Sequence, residues 1–241
     1  MKINEFSIPY LKGEKFDDYQ SFDLSTSSAV YSRLSNIEKL AKGKRVLHIG
    51  CCDHLPFIDQ KLSQGEWVHE IITRVAEKCL GIDINQASVN YVRDSLKYDN
   101  VEYGDILSQK IKGIINDEWD MAILGEILEH VDNPVEFLSA IRTTYSDHIK
   151  KIIVTVPNAF SYRNSVNIAK GVERINTDHR YWFSPYTLAK ILCKSGLEVE
   201  EIVYADAAYR RVRSFKYCFL VREKRVLDPW YADTLIGVGS L

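Results

Sequence analysis

Five short apolar runs separated by amphipathic stretches dominate residues 45–156, and this alternation restricts the chain to few architectures. The runs are Arg45–Gly50, Cys79–Asp83, Val101–Tyr103, Trp119–Leu124 and Lys151–Val156. Between them, Ile71, Ile72 and Val75 keep helical spacing, as do residues 86–96, and as do Val135, Leu138, Ile141 and Tyr145. Strands that alternate with helices predict a parallel sheet joined by right-handed crossovers, with helices on both faces. An earlier helix is expected over Ser27–Leu40, with Val30, Leu34, Ile37 and Leu40 on one side and Gly43 as its stop. Asn133 and Pro134 suit the N-cap and first turn of the helix after the fourth run.

At 241 residues the chain is expected to form a single domain, read in five parts. Residues 1–26 are a lead segment, and 27–158 the ligand-binding half. Residues 159–183 form a polar insertion over the strand ends, a candidate substrate lid. Residues 184–222 hold a helix opened by Ser184-Pro185 and two strands, Leu197–Tyr204 and Phe215–Arg222, expected as an antiparallel edge pair. Residues 223–241 are left as a tail.

The composition fits a protein with a full core: 46% of residues are hydrophobic and 27% charged. A net charge of −2 gives no electrostatic case for nucleic acid. No apolar run reaches the length of a membrane span, and residues 1–20 lack a signal-peptide pattern. Five cysteines without a CxxC pair, two of them adjacent at Cys51 and Cys52, fit reduced thiols and a cytoplasmic setting.

Chemistry concentrates where strands end. The first run turns at Gly50, which lets the backbone approach a ligand. The second ends in Asp83, an acid placed to accept hydrogen bonds from ribose hydroxyls. Asp105 follows the third, where it can meet an adenine amine. The fourth ends in Gly125, and then Glu126, Glu129 and His130 present two carboxylates and an imidazole.

VLHIGCCDH, GIDI, YGDI, EILEHVDNP and VTVPN, in that order, resemble the motifs of class I S-adenosylmethionine-dependent methyltransferases. The resemblance spans roughly residues 27–222 and implies a Rossmann-like seven-stranded, mostly parallel sheet with an antiparallel pair at one edge. It implies S-adenosylmethionine as cofactor: Gly50 at the methionine moiety, Asp83 at the ribose, Asp105 with Ile106 at the adenine. Cys51, Asp53, Ile84 and Glu126 are implied as further cofactor contacts. Two departures stand out. His48 occupies the place of an acid, and Gly50-Cys51-Cys52 replaces a glycine-rich turn. A dinucleotide reading suffers most, since the G-x-G-x-x-G fingerprint is absent.

Methyl transfer to oxygen needs alignment and a base. His130 and His179 are the candidate bases, with Glu129 beside them; a packing or capping role for His130 stays open. Glu126-x-x-Glu129-His130 with His179 also resembles a divalent-metal site of some ribose and ubiquinone-pathway O-methyltransferases, which would take Mg²⁺ or Mn²⁺. The segment DHRYWFSPYTL resembles methyltransferases of bacterial surface-polysaccharide and nucleotide-sugar pathways, and implies a small-molecule or glycan acceptor. Tyr162, Tyr181, Trp182 and Phe183 are candidates to stack on a sugar. Two alternatives remain: a metal-dependent RNA ribose 2′-O-methyltransferase, for which Arg210, Arg211, Arg213 and Lys216 are a local basic cluster, and a non-catalytic adenosylmethionine-binding partner. The acceptor, the oligomeric state and the role of the tail are open at this stage.

Overall fold

The computed structural model describes residue 3 and residues 6–25, 30–108, 110–206 and 228–241. Its strands form where the apolar runs lie: β1 Tyr31–Ser32, β2 Arg45–Ile49, β3 Lys78–Asp83, β4 Val101–Tyr103, β5 Met121–Gly125, β6 Lys151–Pro157, β7 Glu198–Asp206 and β8 Thr234–Ser240. They make one eight-stranded sheet in the order β1-β7-β8-β6-β5-β2-β3-β4. All neighbouring pairs are parallel except those of β8, which runs antiparallel to both β6 and β7.

The helices are α1 Ile8–Lys12, α2 Arg33–Ala41, α3 Leu55–Gln64, α4 Val68–Val75, α5 Gln86–Asp94, α6 Lys112–Ile115, α7 Pro134–Tyr145, α8 Tyr162–Ile168 and α9 Pro185–Lys194. Both faces of the sheet are covered, so its central strands are largely apolar on both sides, with His48 and Thr155 as buried polar exceptions. Within β5 the alternation is direct. Met121 and Ile123 pack with Ile37 of α2 and Ile72 of α4, whereas Ala122 and Leu124 join the cluster of Leu138 and Ile141 from α7 and Leu188 and Leu192 from α9. The lead segment lies along the second face: Lys190 donates to the Tyr10 carbonyl at 3.1 Å, and Tyr204 to that of Leu24 at 3.1 Å.

Several expectations change. α2 starts at Arg33 rather than Ser27, because the Ser32 hydroxyl accepts the Ser35 amide at 3.0 Å and fixes the helix there. Tyr31–Ser32 instead pairs with β7, which raises the strand count from seven to eight. Trp119 makes a lone bridge with Ile149 ahead of β5. α3 was not foreseen, although Pro56 at its start and Gly65 at its end are ordinary signals. The largest correction concerns the tail. The strand expected over Phe215–Arg222 lies outside the described residues, as does the basic cluster Arg210 to Lys216. The antiparallel partner of β7 is β8, from the tail, inserted between β6 and β7.

The sequence of β8, TLIGVGS, is weak as a strand because two glycines interrupt it. Packing explains both. A Cβ on Gly237 would sit 2.8 Å from Leu192 Cδ1 and 3.1 Å from Val154 Cγ2, and one on Gly239 would sit 3.2 Å from Leu197 Cβ. Gly237 lets α9 seat closely on the sheet through Leu192 and Leu188, and Gly239 makes room for Leu197 beyond the helix. Gly237→Val is therefore expected to lower the unfolding free energy by about 1–3 kcal/mol through overpacking. A urea titration checks this; an unshifted midpoint would mean that α9 gives way freely.

Candidate active site

Because β2 to β6 run in parallel, their carboxyl ends line one edge of the sheet. β2 is bonded to β3 on one side and to β5 on the other, with Ile49 level with both Ile82 and Leu124. The chain proceeds to β4 in one direction and to β6 in the other, which makes the crevice beyond β2 a topological switch point.

Gly50 turns there with φ of +69°, a region that L side chains avoid. A Cβ on it would lie 2.7 Å from Ile127 Cδ1. The Cys52 amide donates to Asp83 Oδ2 at 2.8 Å, and the Asn85 amide donates to Oδ1 at 2.9 Å. Asp83 thus ties the β2 loop to the end of β3 while keeping lone pairs on both oxygens. Burial pushes its pKa up against the pull of those two amides. Asp53 is ion-paired with Lys61 and accepts the His54 amide, so it is engaged locally. Asp105 is half-buried and accepts the Leu107 amide at 3.0 Å. Ile106 is buried and Ile84 exposed.

At the end of β5, Glu126 holds a left-handed backbone, φ +58°, which is uncommon for a residue with a side chain. Its carboxylate accepts the Thr155 hydroxyl at 3.1 Å. Arg33, from the first turn of α2, brings its guanidinium 3.5 Å from Thr155 Oγ1. A Cβ on Gly125 would lie 3.5 Å from Arg33 Nη1, an ordinary contact distance, so the cation lies against this end of β5.

The residues after Glu126 form a 3-10 turn, Leu128–His130, that carries Glu129 inward and His130 outward. Glu129 is fully buried, and among the described residues neither carboxylate oxygen has a hydrogen-bond partner in another residue. Burial first, and then the charge of Glu126, raise its pKa to about 8, with Arg33 acting in opposition. Arg180 and Tyr181 clamp this turn. The Arg180 amide donates to the Glu129 carbonyl at 2.7 Å, Arg180 Nε pairs with Asp132 at 2.7 Å, and Tyr181 donates to the Asp132 carbonyl at 2.6 Å. That clamp sets the His179 ring perpendicular to His130 with centroids 4.6 Å apart. His130 Nδ1 faces Asp178 Oδ2 at 2.9 Å. His179 Nδ1 is buried with no partner, and burial together with the nearby His130 lowers its pKa.

Glu129, His130 and His179 each offer one ligand atom, all within 4.8 Å of one another. Glu126 is a near electrostatic neighbour of Glu129 and His179 but turns to Thr155, outside that trio. Residues 159–182 line a cavity of about 440 Å³, with Ala159, Asn164, Asn167, Ile168 and Trp182 among its walls and none of the trio. The Asn167 amide nitrogen is buried and unpartnered. Tyr162 begins α8, Tyr181 is spent on Asp132, and Phe183 is core, so Trp182 is the aromatic residue of that set that lines the cavity.

Arg33, Thr155 and Asp178 were not foreseen. Nothing local marks Arg33; α2 brings it across 122 residues to Thr155. Asn158 is another: fully buried, its amide donates to the carbonyls of Trp230 at 2.8 Å and Ala232 at 2.7 Å, which pins the returning chain ahead of β8.

The methyltransferase domain family matches residues 19–202. The chain belongs to it. It is an S-adenosylmethionine-dependent methyltransferase of class I, and S-adenosylmethionine is its cofactor. A curated relative is the ubiquinone biosynthesis O-methyltransferase of Acinetobacter baylyi, 24% identical over 168 residues. The match covers 66% of this chain and spans 66% of the relative's length. Among solved structures, the methyltransferase domain of bacterial CtHen1-CN has a TM-score of 0.51 at 16% identity, covering 87% of this chain and 98% of that one. The small RNA methyltransferase HEN1 has a TM-score of 0.53 at 13% identity, covering 92% of this chain and 27% of that one. These likenesses concern the fold. Among the described residues, no helix is long and apolar enough to cross a membrane.

The buried acid gives a pH signature. Glu129 keeps its proton in the fold up to about 8, against 4.5 for an ordinary glutamate. Between these values the folded methyltransferase binds more protons than the unfolded chain, so stability falls as pH rises. Glu126, Arg33, His130 and His179 face the same space, and the lowered pKa of His179 acts in the opposite sense. Glu129→Gln is expected to flatten the decline of Tm between about pH 5 and 8. An unchanged slope would place the proton elsewhere.

Proposed function

We propose that this methyltransferase transfers its methyl group to a hydroxyl oxygen of a small polar acceptor, a sugar or sugar-phosphate of the kind methylated in bacterial surface-glycan pathways. The observation that carries the reading is His179 Nδ1, buried and, among the described residues, unpartnered, three positions before the cavity-lining Trp182. An imidazole kept neutral by its surroundings is a base waiting for a proton. The curated relative's name makes oxygen the methylated atom in that protein, which supports the same element here. The DHRYWFSPYTL segment supports the sugar class.

The chain's residues divide the work. Gly50, without a side chain, leaves space for the methionine portion, and Arg33 offers that portion's carboxylate a guanidinium over Gly125. Asp83 accepts the ribose hydroxyls on its remaining lone pairs, while Asp105 and Ile106 flank the adenine. Cys51 and Ile84 line the same trough; Asp53, held by Lys61, shapes it from a distance. Adenosylmethionine, when bound, supplies an electrophilic methyl on a sulfonium centre. His179 takes the acceptor's proton at Nδ1 as the oxygen attacks in line. His130, fixed by Asp178, orients the His179 ring. Asn167 and Trp182 hold the acceptor, one by its amide N–H and the other by its ring face.

A second reading adds a metal. One carboxylate and two imidazoles within 4.8 Å fit a divalent ion, and Glu129 has both oxygens to give. Mn²⁺ suits the imidazoles better than Mg²⁺. Glu129, His130 and His179 would hold it, and it would make the acceptor hydroxyl more acidic. This option keeps an RNA ribose acceptor in play, but a net charge of −2 gives phosphates little to bind.

Asp83→Ala is expected to remove cofactor affinity in a calorimetric titration; unchanged affinity would displace the ribose from β3. His179→Ala is expected to spare cofactor binding and cut kcat about 10²–10⁴-fold. Full activity in that variant would leave alignment alone to drive the reaction. Chelator treatment separates the two readings: loss of turnover, restored by Mn²⁺, supports the metal, and indifference supports His179 as a free base.

A further inference from the structure

Cys51 and Cys52 sit at the point where the first motif departs from a glycine-rich turn. Their Sγ atoms are 3.9 Å apart. Together with a carboxylate oxygen of Asp83, they form a trio whose ligand atoms all lie within 4.8 Å of one another. Zinc–sulfur bonds of about 2.3 Å put two sulfurs of a tetrahedral site roughly 3.8 Å apart, so the thiol spacing is that of two ligands on one ion.

The surroundings fix this arrangement. The Cys52 amide donates to Asp83 Oδ2 at 2.8 Å, and the Trp67 indole donates to the Cys51 carbonyl at 3.1 Å. Gly81, opposite on β3, has no room for a side chain: its Cβ would lie 2.6 Å from Cys51 Sγ and 2.7 Å from His69 Cε1. The missing side chain is what lets the Cys51 thiol lie against the strand. The charges that act on Cys51 come from Cys52, Asp83 and Cys79, all of them anionic when ionised. A nucleophilic cysteine needs the reverse, a positive neighbourhood. Burial, the larger influence, keeps the Cys51 thiol protonated; two thiols and a carboxylate at this spacing are a donor set for a soft cation that displaces those protons.

We infer that Cys51, Cys52 and Asp83 bind a thiophilic divalent cation such as Zn²⁺ or Cd²⁺, and that the bound cation excludes the cofactor. Each thiol gives its proton to solvent as its sulfur bonds the metal, and no electrons change hands. Sulfur ligands select against Mg²⁺ and Mn²⁺, so this trio and the Glu129, His130, His179 trio sort cations by softness. Cys51 is buried and Cys52 half-buried, so a cation reaches the trio from the Cys52 side. The exclusion of cofactor rests on the reading that Asp83 holds the ribose, because one carboxylate then serves both ligands.

The test is titration of the whole protein, kept reduced with a phosphine, with Cd²⁺, followed by the ultraviolet thiolate-to-cadmium charge-transfer band. A one-to-one band is expected that is lost in Cys52→Ser and in Cys52→Ala and kept in His179→Ala. Cys52 is chosen because Cys51 is core, and substitution there risks the fold. One equivalent of Zn²⁺ is then expected to raise the adenosylmethionine Kd at least tenfold in the native chain and to leave it unchanged in Cys52→Ser. A band that survives both Cys52 variants overturns the site. A band that is lost in the variants, with cofactor affinity untouched by Zn²⁺, keeps the cation site and overturns the placing of the ribose on Asp83.

Discussion

The double pairing of β2 is the constraint on which the rest of the molecule depends. Its five residues are bonded to β3 on one flank and to β5 on the other, and the chain leaves the sheet at Gly50 between the two. That exit opens the crevice and sets Cys52 against Asp83. It also presents the end of β5 to the same space. The apolar content of β2, β5 and β6 is what secures this pairing, since helices bury both faces of the sheet.

Electrostatics within the crevice divides along the sheet. Toward β3 the trough is acidic and thiol-rich, and its carboxylate is occupied by backbone amides. Toward β6 the space holds Arg33, Glu126, Thr155 and the buried Glu129: Arg33 meets the hydroxyl that Glu126 accepts, and its charge acts on Glu129. Glu129 bears an unfavourable position: no other residue bonds its oxygens, and its proton is kept by burial. A fold retains such a group at a cost, and groups of this kind cluster at functional sites. The clamp of Arg180 and Tyr181 on the following turn places the lid's histidine beside it.

Much of this was legible in the chain. The strand–helix alternation predicts the parallel sheet, and the Asn133 and Ser184 caps mark α7 and α9 closely. The strand-end acids, Asp83, Asp105 and Glu126, fall where the pattern predicts them. The last strand did not declare itself. Gly237 and Gly239 lower its propensity for reasons that lie in Leu192, Val154 and Leu197, all distant in sequence. The start of α2 was misjudged because apolar spacing continues through Val30, whereas the Ser32 cap decides the boundary.

By itself the sequence determined the alternation, hence the sheet, hence the edge at which ligand-binding residues gather; short-range spacing and periodic burial suffice for that. It also determined which residue types stand at that edge. Tertiary structure alone decided which of them meet. Arg33 reaches Thr155, Asp178 faces His130, and His179 stands edge-on to it, because α2 and the segment before α9 fold back over strands far along the chain. It decided too that Glu126 turns to Thr155 while Glu129 is left without a partner. Burial and mutual charge depend on every element that closes over a side chain, and no local pattern carries that information.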